Sequence, residues 1–186
     1  MKVELDLITA CLNKERRAEY ELYKQTYGYL MSICYRYVNS TEEAKEMLNI
    51  GFLKILTNLD KYKPEVPFKM WIRKVMINTL IDEYRKKKAH AERIQYIEDY
   101  IETPNLSDLN PVLAKMDADQ INGLIKKLPP VSQKVFNLFA IDGYSHKEIA
   151  DMLKMSEGTS KWHVNFSRTK LKEMILNIVS PLNKAI

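Results

Sequence analysis

Ser145-His146-Lys147-Glu148 and Ser156-Glu157-Gly158-Thr159 start a helix twice within one short stretch, and this double start constrains the chain more than any other feature. In the first, Ser145 is an N-cap and Glu148 its capping-box partner. Hydroxyl and carboxylate each satisfy a backbone N–H that has no acceptor inside the helix. Ile149, Ala150 and Leu153 then share the inward face. Lys154-Met155-Ser156 reads as a turn, with Ser156 capping a last helix from Glu157 to about Val179. Short helix, tight turn, longer helix is the helix-turn-helix plan, and the small Ala150 lets the two helices approach. Val164, Leu171, Ile175 and Ile178 form the stripe that docks the longer helix. Lys161, Trp162, Asn165, Phe166 and Thr169 lie toward the other side, in the half that enters a DNA major groove when such a unit binds. Two large aromatics on a solvated face are unusual, which favours a reading surface; extra core is the competing explanation.

The rest of the chain also reads as helix. Residues 15–39 carry an apolar stripe of Leu22, Thr26, Leu30, Ile33 and Tyr37 at three- and four-residue spacing. Ser40-Thr41-Glu42-Glu43 is another capping-box pattern. It opens a helix with Ala44, Met47, Leu48, Phe52, Ile55, Leu56 and Leu59 on its buried side. Lys61 to Pro67 is a loop, and Pro67 is placed as the first residue of a helix running through Trp71, Val75 and Leu80 to about His90. Trp71 is assigned to the core. Residues 94–112 hold Glu98, Asp99, Glu102, Asp108, Pro104 and Pro111, and read as an acidic linker. Beyond it, helices are expected at about 113–127 and 131–141, the second with Val131, Val135, Leu138 and Phe139 inside, before the helix-turn-helix. With only 5 Gly and 7 Pro among 186 residues, the fold class is all-α: two small helical domains, 1–93 and 113–186, joined by the linker.

Several functions are disfavoured. Cys11 and Cys34 sit in helical patterns with no Cys-x-x-Cys pair, as reduced thiols of a cytosolic protein do. His90, His146 and His163 show no ligand spacing, so no metal is expected. Glu4 and Asp6 interrupt the apolar start, no run reaches membrane-spanning length, and the expected location is cytoplasmic, without membrane insertion. Glu42-Glu43 and Asp82-Glu83 are carboxylate pairs, but neighbours on a helix point about 100° apart and do not converge. No glycine-rich phosphate loop or nucleophile motif occurs, so no catalytic residue, cofactor or small-molecule substrate is assigned. The net charge of +5 suits a polyanionic partner.

Two sets of residues, in order, resemble the bacterial sigma-70 family in its extracytoplasmic-function (group 4) form, which keeps regions 2 and 4. The region 2 set is Tyr35-Arg36-Tyr37, Phe52-Leu53-Lys54, Leu59, Tyr62, Phe68, Trp71-Ile72-Arg73, Asn78, Asp82 and Arg85. The region 4 set is Leu128-Pro129, Val135-Phe136-Asn137-Leu138, Asp142 to Ala150, Ser156-Glu157-Gly158-Thr159 and Arg168. The resemblance spans about residues 18–178. It implies an alternative sigma factor: region 2 binds the β′ clamp helices of core RNA polymerase and opens the −10 promoter element. Region 4 binds the β flap and reads the −35 element. The linker threads the polymerase cleft, and an anti-sigma factor is an implied partner.

The implied core-enzyme contacts are Glu43, Lys45, Leu48, Asn49 and Phe52. For the −10 element they are Tyr62, Lys63, Arg73, Lys74, Asn78 and Arg85, an aromatic and an amide for an unstacked base and cations for phosphates. The basic run continues through Lys86, Lys87 and Lys88, and a solvated helix end is its plain alternative. For the −35 element they are Lys161, Trp162, Asn165, Phe166 and Arg168. The chain departs from the family pattern at Glu43-Ala44-Lys45-Glu46 and Asn49-Ile50, and at Ser160-Lys161-Trp162-His163, with Phe166 where a DNA-contacting Arg is common. Asn165 pairs well with adenine, and the aromatics pack on thymine methyls, so A·T readout is expected where Arg-bearing relatives read guanine. The competing class is a free-standing dimeric helix-turn-helix regulator; an enzyme is the third.

Overall fold

The computed structural model describes residues 3–89 and 116–179. Contacts divide the chain into two compact units, 1–92 and 93–186, each with its own core. The expected linker, 94–112, lies outside the described residues, as do residues 113–115 and His90. Among the described residues all regular structure is helical.

The N-terminal unit begins with a helix the sequence patterns did not single out, α1 (Leu5–Leu12), which buries Ile8 and Cys11. It packs on α2 (Arg16–Tyr37) and on the short 3-10 turn Leu59–Lys61. All five stripe residues of α2 are buried, Thr26 included, because its hydroxyl donates to the Leu22 carbonyl at 2.8 Å. Ser40 caps α3 (Thr41–Thr57) by accepting from the Glu43 N–H at 3.1 Å. Only this half of the expected capping box forms: the Glu43 carboxylate pairs with Lys87 Nζ at 2.7 Å. α3 and α4 (Phe68–Ala89) close the core against α2. Gly51 permits that approach, since a Cβ there would overlap the fully buried Met76 thioether, which also meets the Cys34 thiol at 3.6 Å. Pro67 stands one residue earlier than expected: it is the cap whose carbonyl accepts from Trp71 N–H, and not the first helical residue. Trp71 is half-buried, not core, because it packs on the loop aromatic Tyr62.

In the C-terminal unit, α5 (Ala118–Ile125) starts later than the expected 113, at a full capping box between Asp117 and Gln120. α6 (Pro130–Phe136) passes into a wider π-helical turn, Asn137–Ile141, where one continuous helix was expected. The wide turn leaves Phe139 half-buried and ends at Gly143, whose φ of +78° is costly for any residue with a Cβ. α7 (His146–Leu153) and α8 (Glu157–Val179) follow at the expected bounds. Ile178, assigned to the docking stripe, is 48% exposed, and the buried stripe of α8 ends at Ile175 among the described residues.

Burial separates α3 positions that composition leaves alike. Leu48 is 0% exposed and Leu53 is 62% exposed. Leu48→Ala should therefore cost about 2–5 kcal/mol, while Leu53→Ala should stay within about 0.5 kcal/mol. Urea unfolding of the N-terminal unit, followed through Trp71 fluorescence in a Trp162→Phe background, checks the contrast.

Candidate nucleic-acid interface

The helix-turn-helix is built from its caps. Ser145 Oγ accepts from the Glu148 N–H at 3.3 Å, and the Ser145 N–H donates to Glu148 Oε2 at 2.8 Å. α7 ends with Lys154 in the left-handed region, φ +56°, and Met155 N–H donates to the Ala150 carbonyl at 3.1 Å. Ser156 Oγ accepts from the Thr159 N–H at 2.9 Å and launches α8. Ile149, Ala150 and Leu153 are buried beneath it.

The side of α8 that faces the unit's interior is largely polar. Ser160, His163 and Ser167 are at most 1% exposed, alongside Val164 and Ile175. Each hydroxyl has a partner. Ser132 Oγ on α6 lies 2.9 Å from His163 Nδ1, and Ser160 Oγ lies 3.0 Å from His146 Nδ1. Ser167 Oγ donates to the His163 carbonyl at 2.7 Å and lies 3.3 Å from the Ser132 carbonyl. Farther along, Leu171, Met174 and Ile175 pack on Leu124 of α5. The sequence reading missed this polar layer, although Ser160, His163 and Ser167 recur at the i, i+3, i+7 spacing of a buried face.

The opposite side carries most of the expected reading residues. Lys161 is exposed, and Trp162, Asn165 and Phe166 are partly exposed; Arg168, also partly exposed, projects about 80° from Ser160, on the flank toward Phe139. The Trp162 and Phe166 rings stack, with centroids 5.1 Å apart. Phe139 and His146 also stack, at 4.4 Å, and the Arg168 guanidinium sits 5.9 Å from the Phe139 centroid. His146 thus joins the buried layer to the cationic surface. Burial, then the positive charge of Lys161, hold its imidazole below the ordinary value of 6.5; Glu157 opposes this, and Arg168 adds a smaller push downward.

In the N-terminal unit the structure brings together some of the expected residues and separates others. On α3, Lys45 and Asn49 are exposed, and Asn49 Oδ1 accepts from the Tyr23 hydroxyl at 3.2 Å. Leu48 and Phe52 are corrections: both are buried, Phe52 edge-on to Tyr23 at 5.0 Å, so neither offers a contact surface. The outward residue is Leu53, in register with Lys45 and Asn49 at four-residue steps, a period that was readable. Glu43 is held by Lys87. On α4, Lys74 and Asn78 are exposed and share a face with Arg85, which pairs with Asp82 beside Lys54. Arg73 is not on that face: five residues from Asn78, it projects about 140° round the helix. Lys63 is exposed in the loop. Tyr62 donates its hydroxyl to the Val66 carbonyl at 2.9 Å and packs edge-on against Phe68 at 5.1 Å, which shapes the loop beside Trp71.

Among the described residues no cluster of His, Cys, Asp or Glu suits a metal ion, and no helix is long and apolar enough to cross a membrane.

The sequences of the two units match known families. Residues 22–90 match the model of sigma-70 region 2, and residues 118–171 match that of sigma-70 region 4. The chain belongs to the sigma-70 family, among its extracytoplasmic-function sigma factors. It is 28% identical over 157 residues to RNA polymerase sigma factor SigZ of Bacillus subtilis (strain 168), covering 83% of this chain and 85% of that one. It is 25% identical over 158 residues to ECF RNA polymerase sigma factor SigW of the same organism, covering 80% and 84%. Among solved structures it resembles the sigma factor RpoE in complex with the anti-sigma factor NepR from Bartonella quintana. The TM-score is 0.51 at 15% identity, covering 86% of this chain and 96% of that one. Sigma factors are initiation factors and catalyse nothing themselves.

The depressed His146 value fixes the sign of a pH effect. A ring held below 6.5 resists protonation in the fold, so its contribution to stability is full above 6.5 and is lost as pH falls below 6.5 through the lowered folded value. The C-terminal unit should melt at a lower temperature at about pH 5.5 than at about pH 7.5, and His146→Gln should flatten the difference. Calorimetry of wild type and variant across that range checks it; equal slopes would remove His146 as the cause.

Proposed function

We propose that this sigma factor divides its work between the two units. The N-terminal unit binds core RNA polymerase through the exposed side of α3, with Lys45, Asn49 and the neighbouring Leu53, and opens the −10 element along α4. The C-terminal unit binds the β flap and sets α8 in the major groove of the −35 element. The observation that carries this reading is the capped α7–turn–α8 unit whose outward side holds Lys161, Trp162, Asn165 and Phe166, with Arg168 on its flank.

Within that division, Lys161 and Arg168 serve phosphates or a guanine edge, and Asn165 reads adenine. In the −10 element, Asn78 takes an unstacked base and Lys63, Lys74 and Arg85 hold its backbone. Tyr62, with its hydroxyl committed to Val66, contributes ring surface only. The structural relative was solved with an anti-sigma factor, and an anti-sigma partner is proposed for this chain as well. Promoter DNA and core polymerase place the activity in the cytoplasm.

A dimeric operator-binding regulator is the competing reading, and polymerase dependence separates the two. Purified chain with core polymerase should give run-off transcripts from a subset of genomic fragments, and chain alone should not shift those fragments in a gel. Asn78→Ala should reduce permanganate reactivity of −10 thymines on duplex promoter, with a pre-melted bubble restoring most of the transcript. Tight, specific binding by the chain alone, with no polymerase-dependent transcript, overturns the reading. Equal defects on duplex and bubble remove Asn78 from opening.

A further inference from the structure

Trp162 and Phe166 stand one turn apart on α8 with their ring planes 14° from parallel and centroids 5.1 Å apart. Trp162 also meets the edge of His163 at 4.9 Å and 82°. An indole has one hydrogen-bond donor, and in Trp162 that Nε1 is buried with no acceptor among the described residues. What the stacked pair offers a partner is therefore hydrocarbon. Two residues on from the fully buried Ser160, Trp162 projects about 200° round the helix, across the axis from the packed side. Farther round the helix stand partly exposed Asn165 and exposed Lys161, which suit a base edge and a phosphate.

The floor of a DNA major groove is lined by hydrogen-bond donors and acceptors, with one hydrocarbon exception, the C5 methyl of thymine. A donor or acceptor laid on an apolar ring loses water and gains no partner, which disfavours it by more than the ring contact returns. A methyl group carries no such cost. We infer that the Trp162–Phe166 pair reads a C5-methylated pyrimidine in the −35 element, by apolar contact and not by hydrogen bonding. The inference rests on the placement of α8 in that groove. Its consequence is that recognition follows the methyl group and not the base pair. Thymine stripped of its methyl becomes a poor match, and cytosine that gains one becomes a partial match.

The test uses holoenzyme reconstituted from the full chain and core polymerase, and a −35 element selected from a randomised library. Each thymine of the element is replaced in turn by deoxyuridine, which keeps the base pair and removes only the methyl. At one or two adjacent positions binding should weaken roughly fourfold, the size expected for one buried methyl. Where cytosine is placed at such a position, 5-methylcytosine should recover most of the loss. Trp162→Ala and Phe166→Ala should abolish the thymine-to-deoxyuridine ratio, while Lys161→Ala should weaken both templates and keep it. The ratio is taken within each variant, so a partly unfolded variant scales both templates alike. Deoxyuridine tolerated throughout the element overturns the inference while leaving α8 as the reader. A ratio that survives in both aromatic variants overturns it too. A holoenzyme that selects no −35 sequence overturns the placement of α8, and the inference with it.

Discussion

Everything the C-terminal unit can present to a partner depends on how far α8 is rotated about its own axis, and a buried polar layer fixes that rotation. An apolar stripe would tolerate small turns, because hydrophobic contact is nearly direction-free. Ser160 and His163 do not tolerate them. With Ser167, all three are at most 1% exposed; His163 bonds to Ser132 on α6 and Ser160 to His146 on α7, while Ser167 bonds mainly to α8's own backbone and turns with it. Turning α8 by one residue would leave the Ser160 and His163 groups buried without these partners, at roughly 1–3 kcal/mol for each group. The pairing therefore favours one face, the side bearing Lys161, Trp162 and Asn165, for the outside.

The N-terminal unit reaches a similar end by a different means. Its core is apolar, and its specificity lies in close approach: Gly51 lets α3 settle against Met76, and Cys34 fills the space beside the sulfur. With α3 held there, Leu48 and Phe52 point inward, and Lys45, Asn49 and Leu53 are left on the surface. On α4 the same packing puts Lys74 and Asn78 outside and sends Arg73 to another side of the helix.

The parts that were legible in the sequence are those set by neighbours in the chain. Ser40, Ser145 and Ser156 announce helix starts because a cap works across three residues, and the α2 stripe shows because its period is helical. The misses are non-local or ambiguous. Ser160, His163 and Ser167 look like surface residues by type, and only their partners on α6 and α7 make them interior. Leu48 and Phe52 read equally as core or as contact until α2 and α4 are in place. The short α1 lacks a side-chain cap, and the Asp117–Gln120 box lies inside the stretch from 113 that the apolar pattern already assigns to helix. The widened Asn137–Ile141 turn has no sequence signature of its own.

The central claim is the rotation of α8, and proximity measures it directly. Cys11 and Cys34 are buried, with thiol values pushed up to about 11 and about 12, so a new surface cysteine is labelled selectively. A short photo-cross-linker is attached at Asn165→Cys on α8 or at Asp151→Cys, an exposed position of α7, the helix that crosses the DNA backbone in such a unit. The holoenzyme is irradiated on promoter DNA. The account predicts cross-links to −35 bases from position 165 and few or none from position 151. No base cross-links from position 165 would contradict it.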